Sequence, residues 1–139
     1  MMKAAIAGAL ALLCLSATNA WAADATGLWR TQTAGEVEIY HCGAALCGKL
    51  VNSPRLRADP ALKDFRNKDA ALRGRSLKGM VMIQGLHGGP TSWSDGQLYN
   101  PEDGNTYSGA LTLLPNGQVQ LKGCALMVLC KTQVWNRIR

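Results

Sequence analysis

Two histidines, and the serines near them such as Ser92, are the residues of this chain that could supply a base and a nucleophile. His41 lies in a strand-like alternating run, His87 lies beside glycines, and Ser92 lies in ordinary turn composition. A serine hydrolase would need a Gly-x-Ser-x-Gly elbow and a zinc protease a His-Glu-x-x-His pattern, and the chain contains neither. We therefore assign structural roles to these side chains and predict no catalytic residue, no metal and no cofactor.

An acidic pair, Glu102 and Asp103, lies in the sequence Asn-Pro-Glu-Asp-Gly. A paired-carboxylate mechanism needs two carboxyl groups that face one bond at a set separation, which adjacent residues on a turn rarely achieve. Aspartate before glycine is typical of a turn in which the carboxylate accepts backbone hydrogen bonds. The pair therefore predicts a turn rather than an acid–base site.

A basic stretch, residues 55–78, carries the strongest candidates for recognition. It contains eight basic and three acidic residues, and the rest of the chain after residue 22 is balanced in charge. The candidate site residues are Asp64, Asn67, Arg73 and Arg75. We favour a structural role, in which they cap the mouth of the fold through internal hydrogen bonds and salt bridges. The alternative is a cationic rim for an anionic ligand or envelope component, since clustered positive charge concentrates acidic partners.

Four cysteines follow the N-terminal segment, and their even number indicates two disulfides in an exported protein. We favour Cys42 with Cys47 and Cys124 with Cys130, because each pair brackets a short loop between strand-like runs. By loop-closure entropy, each small ring contributes about 2 kcal/mol to stability. A four-cysteine zinc site is the alternative, although the five residues between the second pair exceed the usual spacing of zinc knuckles.

The first 22 residues have the composition of a secretory signal peptide. A lysine at position 3 precedes a short apolar core and an Ala-x-Ala site, which predicts cleavage after Ala22. The apolar core is too short for a permanent membrane span. Cys14 raises the alternative of a lipoprotein, but Leu13 stands where lipoprotein processing needs a small residue. Residues 23–139 are then a single domain in the periplasm or outside the cell, where nucleic acid is not an expected partner.

Eight runs with the alternation or composition of strands follow in nearly all-neighbour order. They cover residues 27–33, 36–42, 47–52, 79–86, 92–99, 105–114, 117–124 and 130–138. Alternating side chains allow a strand to bury one face. Eight antiparallel strands remove both sheet edges by closing into an up-and-down barrel. We therefore predict an all-β protein, a small eight-stranded antiparallel barrel with one long basic crossover between strands 3 and 4.

Turn and helix signals make this prediction more specific. Asn116-Gly117 between two alternating runs predicts a two-residue type I′ turn, which requires positive φ at both residues. Asp59-Pro60 predicts the start of a helix of one or two turns in the basic stretch, with the aspartate as its cap. His87-Gly88-Gly89-Pro90 predicts a turn or a flexible loop.

The inward face of the predicted barrel is apolar. Its expected lining residues are Val37, Ile39, Leu50, Met80, Met82, Tyr107, Leu111, Leu113, Val119 and Leu121. Met80, Met82, Tyr107 and Trp93 are the candidate ligand contacts among the apolar residues. A barrel of eight strands is at the size at which side chains either fill it or leave room for one small ligand.

Several motifs extend over almost the whole chain after the signal peptide. They include Gly27-Leu28-Trp29, Cys42-Gly43, Tyr99-Asn100-Pro101-Glu102-Asp103-Gly104, Gly123-Cys124 and Cys130-x-x-Gln133-x-Trp135-x-Arg137. Together they resemble a family of small exported bacterial proteins of unknown function, for which a lipocalin-like barrel is expected. Gly27-x-Trp29 with Arg137 is also similar to the calycin pattern of such barrels. That resemblance implies that Arg137 stacks on Trp29 at the closed end, a contact worth roughly 0.5–2 kcal/mol.

The expected function is therefore that of a non-enzymatic periplasmic or secreted protein, which binds a small apolar or amphipathic molecule at the open end of the barrel. The alternative is an envelope interaction module, in which the basic crossover binds an anionic surface and a solid barrel is its scaffold. An enzyme would need polar groups that converge in a pocket with shifted titration, and no spacing in the chain indicates them.

Overall fold

The computed structural model describes Gly8 and residues 24–139. The strands are β1 (Gly27–Arg30), β2 (Glu36–Cys42), β3 (Ala45–Asn52), β4 (Val81–Gly88), β5 (Ser92–Asn100), β6 (Asn105–Leu113), β7 (Val119–Ala125) and β8 (Leu129–Arg137). Between β3 and β4 lie the helix α1 (Pro54–Ala58) and a 3-10 turn (Ala70–Leu72). The predicted signal peptide and its Cys14 lie outside the described residues, apart from Gly8.

The eight strands form one closed antiparallel barrel in chain order, and β8 returns to pair with β1. This confirms the predicted all-β, eight-stranded, up-and-down architecture. The seam between β1 and β8 is short, because it pairs only Trp29 with Arg137 and Arg30 with Asn136. Beyond Arg30 the first half of β8 pairs with β7 alone among the described strands.

The alternating strand directions place the connections at two ends. The closed end holds the β2–β3, β4–β5 and β6–β7 turns, the start of β1 and the end of β8. The open end holds the β1–β2 and β5–β6 turns, the β7–β8 turn and the crossover, which we define as residues 53–80. Among residues 24–139, the crossover and these three turns are therefore the segments that can cover the mouth of the barrel.

The core lies inside the barrel and is built from the alternation of the strands. Trp29, Val37, Leu86, Leu111 and Val119 have no exposed surface. Three of these, Val37, Leu111 and Val119, are predicted lining residues. Of the remaining predicted lining residues, Met82 and Tyr107 are half-buried, and the following are buried: Ile39, Leu50, Met80, Leu113 and Leu121. The sequence pattern therefore identifies most of the core.

The β6–β7 turn does not have the predicted type I′ geometry. Gly117 has a φ of 85°, but Asn116 is not among the residues with positive φ. The Gly117 N–H donates to the Leu114 carbonyl at 2.9 Å, which makes Pro115 and Asn116 the central residues of the turn. Proline fixes φ near −65°, which suits the first central position of a type I turn. The prediction was wrong because it omitted Pro115 from the turn.

The helix of the crossover begins earlier than predicted. The Ser53 hydroxyl accepts a hydrogen bond from the Leu56 N–H at 3.1 Å, and Pro54 occupies the first turn. Asp59 ends this helix, since its N–H donates to the Arg55 carbonyl at 2.9 Å. The prediction that Asp59 caps a following helix was wrong, because Ser53-Pro54 supply the cap and the proline instead.

Several strand boundaries also differ from prediction by one to three residues, and two of them change how a segment is interpreted. β1 ends at Arg30 because the chain then turns, with the Thr31 hydroxyl accepting from the Gly35 N–H at 2.9 Å. His87 and Gly88 belong to β4 and pair with β5, so they are not part of a flexible loop. Both corrections concern strand ends, where hydrogen bonds rather than composition decide the boundary.

The predicted disulfide pairing is confirmed. Cys42 bonds to Cys47, and Cys124 bonds to Cys130. The first bond crosses the β2–β3 turn at the closed end, and the second crosses the base of the β7–β8 turn at the open end. Because the two pairs lie at opposite ends of the barrel, they do not form a common four-cysteine metal site.

Candidate ligand-binding site

The barrel encloses a cavity of about 430 Å³ that reaches the open end. Its inner wall is apolar and includes Val37, Leu50, Ile83, Leu98 and Leu121. The side chains of the barrel therefore do not fill it. The volume lies within the range of about 300–1,000 Å³ that is usual for small-molecule sites.

Glycines help to make room inside the barrel. Gly96 pairs with Gly109, and Gly109 pairs with Gly123, so three neighbouring strands carry a glycine at one level. A Cβ at Gly109 would lie 2.6 Å from the Leu98 side chain, which occupies that space. A Cβ at Gly123 would meet Leu98 at an ordinary 3.6 Å, and Gly123 lines the cavity. Position 123 can therefore accept a side chain that projects into the cavity.

Polar groups line the cavity toward its mouth. The Tyr107 hydroxyl donates to the Asp103 carboxylate, and this hydrogen bond, together with burial, raises the pKa of Tyr107. Gln133 accepts from the Trp135 indole N–H at 3.0 Å. Lys131 also lines the cavity and forms no ion pair among the described residues. The site thus combines an apolar wall with polar groups at its mouth, which include the cations of Lys131 and Arg55 and the carboxylates of Glu102 and Asp103.

The crossover is fixed to the barrel by a buried carboxylate, Asp64, which is 1% exposed. Its oxygens accept from the Tyr99 hydroxyl at 2.5 Å, the Asn67 amide at 2.9 Å and the Arg75 Nε at 3.0 Å. The Arg73 Nε donates to the Asn67 carbonyl at 2.8 Å. The four polar residues singled out in the sequence therefore form one network, joined by Tyr99 from β5.

Tyr99 completes this network, and the network raises the pKa of its phenol. Burial and the hydrogen bond to the Asp64 carboxylate raise the pKa of Tyr99 to about 12, although the nearby Arg75 guanidinium opposes the shift. The same guanidinium lies 5.2 Å from the centre of the Tyr99 ring. The phenol therefore stays protonated and donates to Asp64 throughout the physiological pH range.

A second ion-pair cluster fixes the crossover to the β5–β6 turn. Glu102 pairs with Arg55 at 3.0 Å and with Arg66 at 3.1 Å. Both guanidinium groups lie over the ring of Phe65, at 5.3 and 5.4 Å from its centre. Of the predicted acidic pair, Glu102 therefore binds two arginines, and Asp103 accepts from Tyr107 and from the Asn105 N–H at 2.8 Å. Neither carboxylate is arranged opposite the other as a catalytic pair.

A second cleft of about 480 Å³ lies between the crossover and the outer wall of the barrel. Its polar lining residues include Asn67, Lys68, Asp69, Arg75, Gln84, Gln97, Asn105 and Thr106. Met82 and Tyr99 line both this cleft and the barrel cavity. These two residues therefore stand between the two spaces.

The structure places the predicted ligand contacts in different surroundings. Among the described residues, Met82 and Tyr107 line the barrel cavity, whereas Met80 and Trp93 are buried in the core without lining it. Asp64, Asn67, Arg73 and Arg75 hold the crossover, and the cavity lining does not include them. His41 contacts Asp24 at 3.1 Å near the closed end, and His87 lies in β4.

Sequence reasoning missed several residues of the site. Tyr99 ends the predicted strand 92–99 and has no predicted role in the site, yet its hydroxyl joins β5 to the crossover. Lys131 and Gln133 alternate with Thr132 on β8, and this alternation could have placed both on the inner face with Trp135. On β5, Leu98 alternates with Tyr99 in the same way, and this alternation could have placed Leu98 on the inner face of the barrel.

The closed end is covered by Arg137, whose guanidinium lies 4.3 Å from the centre of the Trp29 ring. The same guanidinium donates to the Thr26 carbonyl at 2.7 Å and to the Asp24 carbonyl. The Trp29 indole N–H donates to the Ala25 carbonyl at 2.8 Å. The chain before β1 is therefore fastened across the base of the barrel.

A closed eight-stranded antiparallel barrel with an internal cavity and an arginine stacked on a tryptophan at its base defines a lipocalin-like protein. The chain belongs to the family described as "uncharacterized protein conserved in bacteria (DUF2147)", whose model matches residues 27–137. It is similar to the solved structure of protein HP1028 from Helicobacter pylori, which belongs to the lipocalin family. The identity is 26%, the match covers 82% of each chain, and the TM-score is 0.73. No curated protein sequence matches the chain.

Two structural features bear on the compartment. Two disulfides in one small domain are typical of an oxidising, extracytoplasmic environment. Within residues 24–139, none of the helices has the length and apolar character to cross a bilayer.

Proposed function

We propose that this protein binds a small amphipathic molecule in its barrel, outside the cytoplasm and without catalysing a reaction. The observation that carries this proposal is the apolar cavity of about 430 Å³, open at one end. Burying the apolar part of a ligand against such a wall contributes roughly 25 cal/mol per Å² of apolar surface removed from water. The lipocalin-family membership of the similar protein HP1028 supports the same class of function.

The distribution of polar groups indicates how the ligand is oriented. The inner wall is formed by residues such as Val37, Ile83 and Leu121, whereas Lys131, Gln133 and Tyr107 supply polar groups closer to the mouth. Few polar groups on an apolar wall fix the orientation of a ligand more than its affinity. An amphipathic molecule would therefore place its apolar part deep in the barrel and its polar or anionic end beside Lys131.

The proposed compartment is the periplasm or the exterior of the cell, reached through the predicted signal peptide of residues 1–22. The two disulfides support an oxidising environment. The N-terminal sequence supports export, since it combines a positive start, an apolar core and an Ala-x-Ala site. N-terminal sequencing of the exported protein tests the cleavage after Ala22.

The alternative function, in which the crossover itself binds an anionic surface, has less support than ligand binding in the barrel. Arg55 and Arg66 bind Glu102, and Arg75 binds Asp64. Arg57 and Arg73 donate to backbone carbonyls. Five of the eight basic residues in the stretch 55–78 are thus engaged within the protein, and their chief role is to hold the crossover in place.

The experiment that tests the proposed function is native mass spectrometry of the protein purified from the periplasm with its disulfides intact. We expect an additional mass that disappears after mild organic extraction and that identifies the ligand class. The extracted protein should then bind the fluorescent amphiphile N-phenyl-1-naphthylamine. A clean mass together with no binding of this probe would contradict the proposal.

A matched pair of variants locates the binding. Gly123→Ile adds a side chain that projects into the cavity, whereas Gln120→Ile places the same side chain on the outer face of the same strand. We expect the first variant to weaken probe binding by about tenfold or more, because it occupies the volume of the ligand. The second should bind as wild type does. Equal binding by both variants, with both folded, would place the probe outside the barrel.

A further inference from the structure

The turn between β7 and β8 exposes an unusual concentration of apolar side chains at the open end. We call Leu126, Met127, Val128 and Leu129 the apolar tip. Their exposed fractions are 84%, 84%, 77% and 66%, which makes them the most exposed large apolar residues of the described chain. Burial of apolar surface is the main driving force of folding, so four adjacent exposed apolar residues require an explanation.

The backbone of the apolar tip makes this exposure more informative. Leu126 has a φ of 52° and Met127 has a φ of 60°, and the Val128 N–H donates to the Ala125 carbonyl at 3.3 Å. This is a type I′ turn, in which asparagine and glycine are the usual residues because β-carbon atoms are disfavoured at positive φ. The chain therefore has leucine and methionine at positions where folding alone would favour Asn-Gly.

The apolar tip is held in place and projects from the barrel. The Cys124–Cys130 disulfide closes the hairpin directly below the tip. β1 pairs with β8 only at Arg30 and Trp29, so no described neighbouring strand covers the first half of β8 on that side. The tip is therefore a braced projection beside the mouth of the cavity.

The hairpin that carries the apolar tip has charges of one sign. Residues 119–133 include two lysines, Lys122 and Lys131, and no acidic residue. Lys122 and Lys131 are exposed on the two strands that carry the tip. Strands advance about 3.3 Å per residue, so the backbone of Lys131 lies about 7 Å from that of Leu129, at the depth of lipid headgroups if the tip is inserted.

We propose that the apolar tip inserts into the surface of a bilayer that contains anionic lipids and docks the mouth of the barrel against it. Four residues are too few for a stable protein–protein interface, which needs about 20 or more on each side. They are sufficient for interfacial insertion, in which apolar side chains enter the headgroup boundary and nearby lysines bind anionic lipids. Leu129 and Lys131 also line the cavity, but the docking itself requires no ligand in the barrel.

The test is flotation of the full protein with lipid vesicles. The vesicles consist of phosphatidylcholine alone or of phosphatidylcholine with about 30% phosphatidylglycerol. The double variant L126N/M127G removes the apolar residues and supplies those that the turn favours, so it should remain folded. Ile138→Asn, at the closed end and 39% exposed, is the control for loss of an exposed apolar side chain.

We expect wild type and Ile138→Asn to float with the anionic vesicles, and L126N/M127G to bind about tenfold more weakly or not at all. In Val128→Trp, the added indole should be quenched by brominated lipids, which shows insertion rather than adsorption. Absence of wild-type binding would overturn the proposal. Binding that survives in L126N/M127G but disappears in about 0.5 M NaCl would assign it to surface charge instead. A concentration-dependent dimer that L126N/M127G abolishes would assign the tip to a second copy of the chain.

Discussion

Replacing Asp64 is expected to release the crossover from the barrel wall. The side chain of Asp64 has no exposed surface, and it accepts hydrogen bonds from Tyr99, Asn67 and Arg75. Asp64→Ala leaves all three donors without this acceptor. Removing one partner of a buried ion pair typically lowers stability by about 3–5 kcal/mol.

For Asp64→Ala we expect a loss of stability at the lower end of this range. The Arg75 side chain is 36% exposed, so its guanidinium regains contact with water when the carboxylate is lost. We therefore expect Asp64→Ala to lower the free energy of unfolding by about 3 kcal/mol. Asp64→Asn keeps the shape of the side chain. Its oxygen can accept from Asn67 and Arg75, and its amide N–H can donate to the Tyr99 hydroxyl oxygen. The variant loses the charge and reverses one hydrogen bond, so we expect a reduction of about 1 kcal/mol.

Urea unfolding at neutral pH measures the global effect, and limited trypsin digestion measures the local one. The crossover contains trypsin sites after Arg66, Lys68 and Arg73, so its release should speed cleavage there before the barrel unfolds. Asp69→Ala is the matched control, because Asp69 is exposed and its carboxylate accepts one hydrogen bond among the described residues, from the Ala71 N–H. A change of less than about 0.5 kcal/mol in Asp64→Ala would refute the reasoning, since exposed substitutions reach that size.

Three other predictions follow from the geometry. Because burial and the Asp64 carboxylate raise the pKa of Tyr99 from 10.0 to about 12, the protonated phenol stabilises the fold below about pH 10. Stability should then fall as pH rises through the interval from 10 to 12, and urea titrations should show a smaller alkaline loss in Tyr99→Phe. The variant L126N/M127G should raise the free energy of unfolding by about 1–2 kcal/mol, because asparagine and glycine adopt positive φ readily. Arg137→Ala should lower it by about 2 kcal/mol in the same assay, through loss of the stacking on Trp29 and of two hydrogen bonds to backbone carbonyls.

Each of these predictions has a result that contradicts it. An unchanged alkaline loss of stability in Tyr99→Phe would assign the titration to another group, and Tyr107→Phe is the natural comparison. A destabilised L126N/M127G would show that the exposed leucine and methionine support the fold. Arg137→Lys keeps the charge but not the planar stacking group, so stability equal to wild type in this variant would assign the effect to charge alone.

The barrel was predictable because alternation and turn signals act locally. Gln118 to Lys122 alternates in sequence as it does in the structure, and the cysteine pairs bracket neighbouring strands. The site was less predictable from the sequence, because it depends on contacts between distant parts of the chain. Tyr99 and Asp64 are 35 residues apart, and no local pattern indicates that they meet.

The cavity and the apolar tip could not be predicted for different physical reasons. Whether a barrel is hollow depends on where each inward side chain lies, and Leu98 occupies the space that Gly109 leaves free. A count of apolar residues does not reveal this arrangement. The apolar tip opposes turn propensity, so a sequence rule expects no tight turn at Leu126-Met127. The mismatch is between these residue types and their positive φ angles, and the backbone structure is needed to show those angles.

The short seam of the barrel has a consequence for the order in which the chain folds. Hairpins between neighbouring strands bring together residues that are close in sequence, so they can form early and independently. The seam joins Trp29 to Arg137. The entropy of closing so long a loop must be offset by two pairs of strand residues, the backbone hydrogen bonds between Leu28 and residues 138–139, and the stacked guanidinium. A chain that is synthesised from its N-terminus therefore carries an open sheet until Arg137 is available, and the barrel closes in its last step.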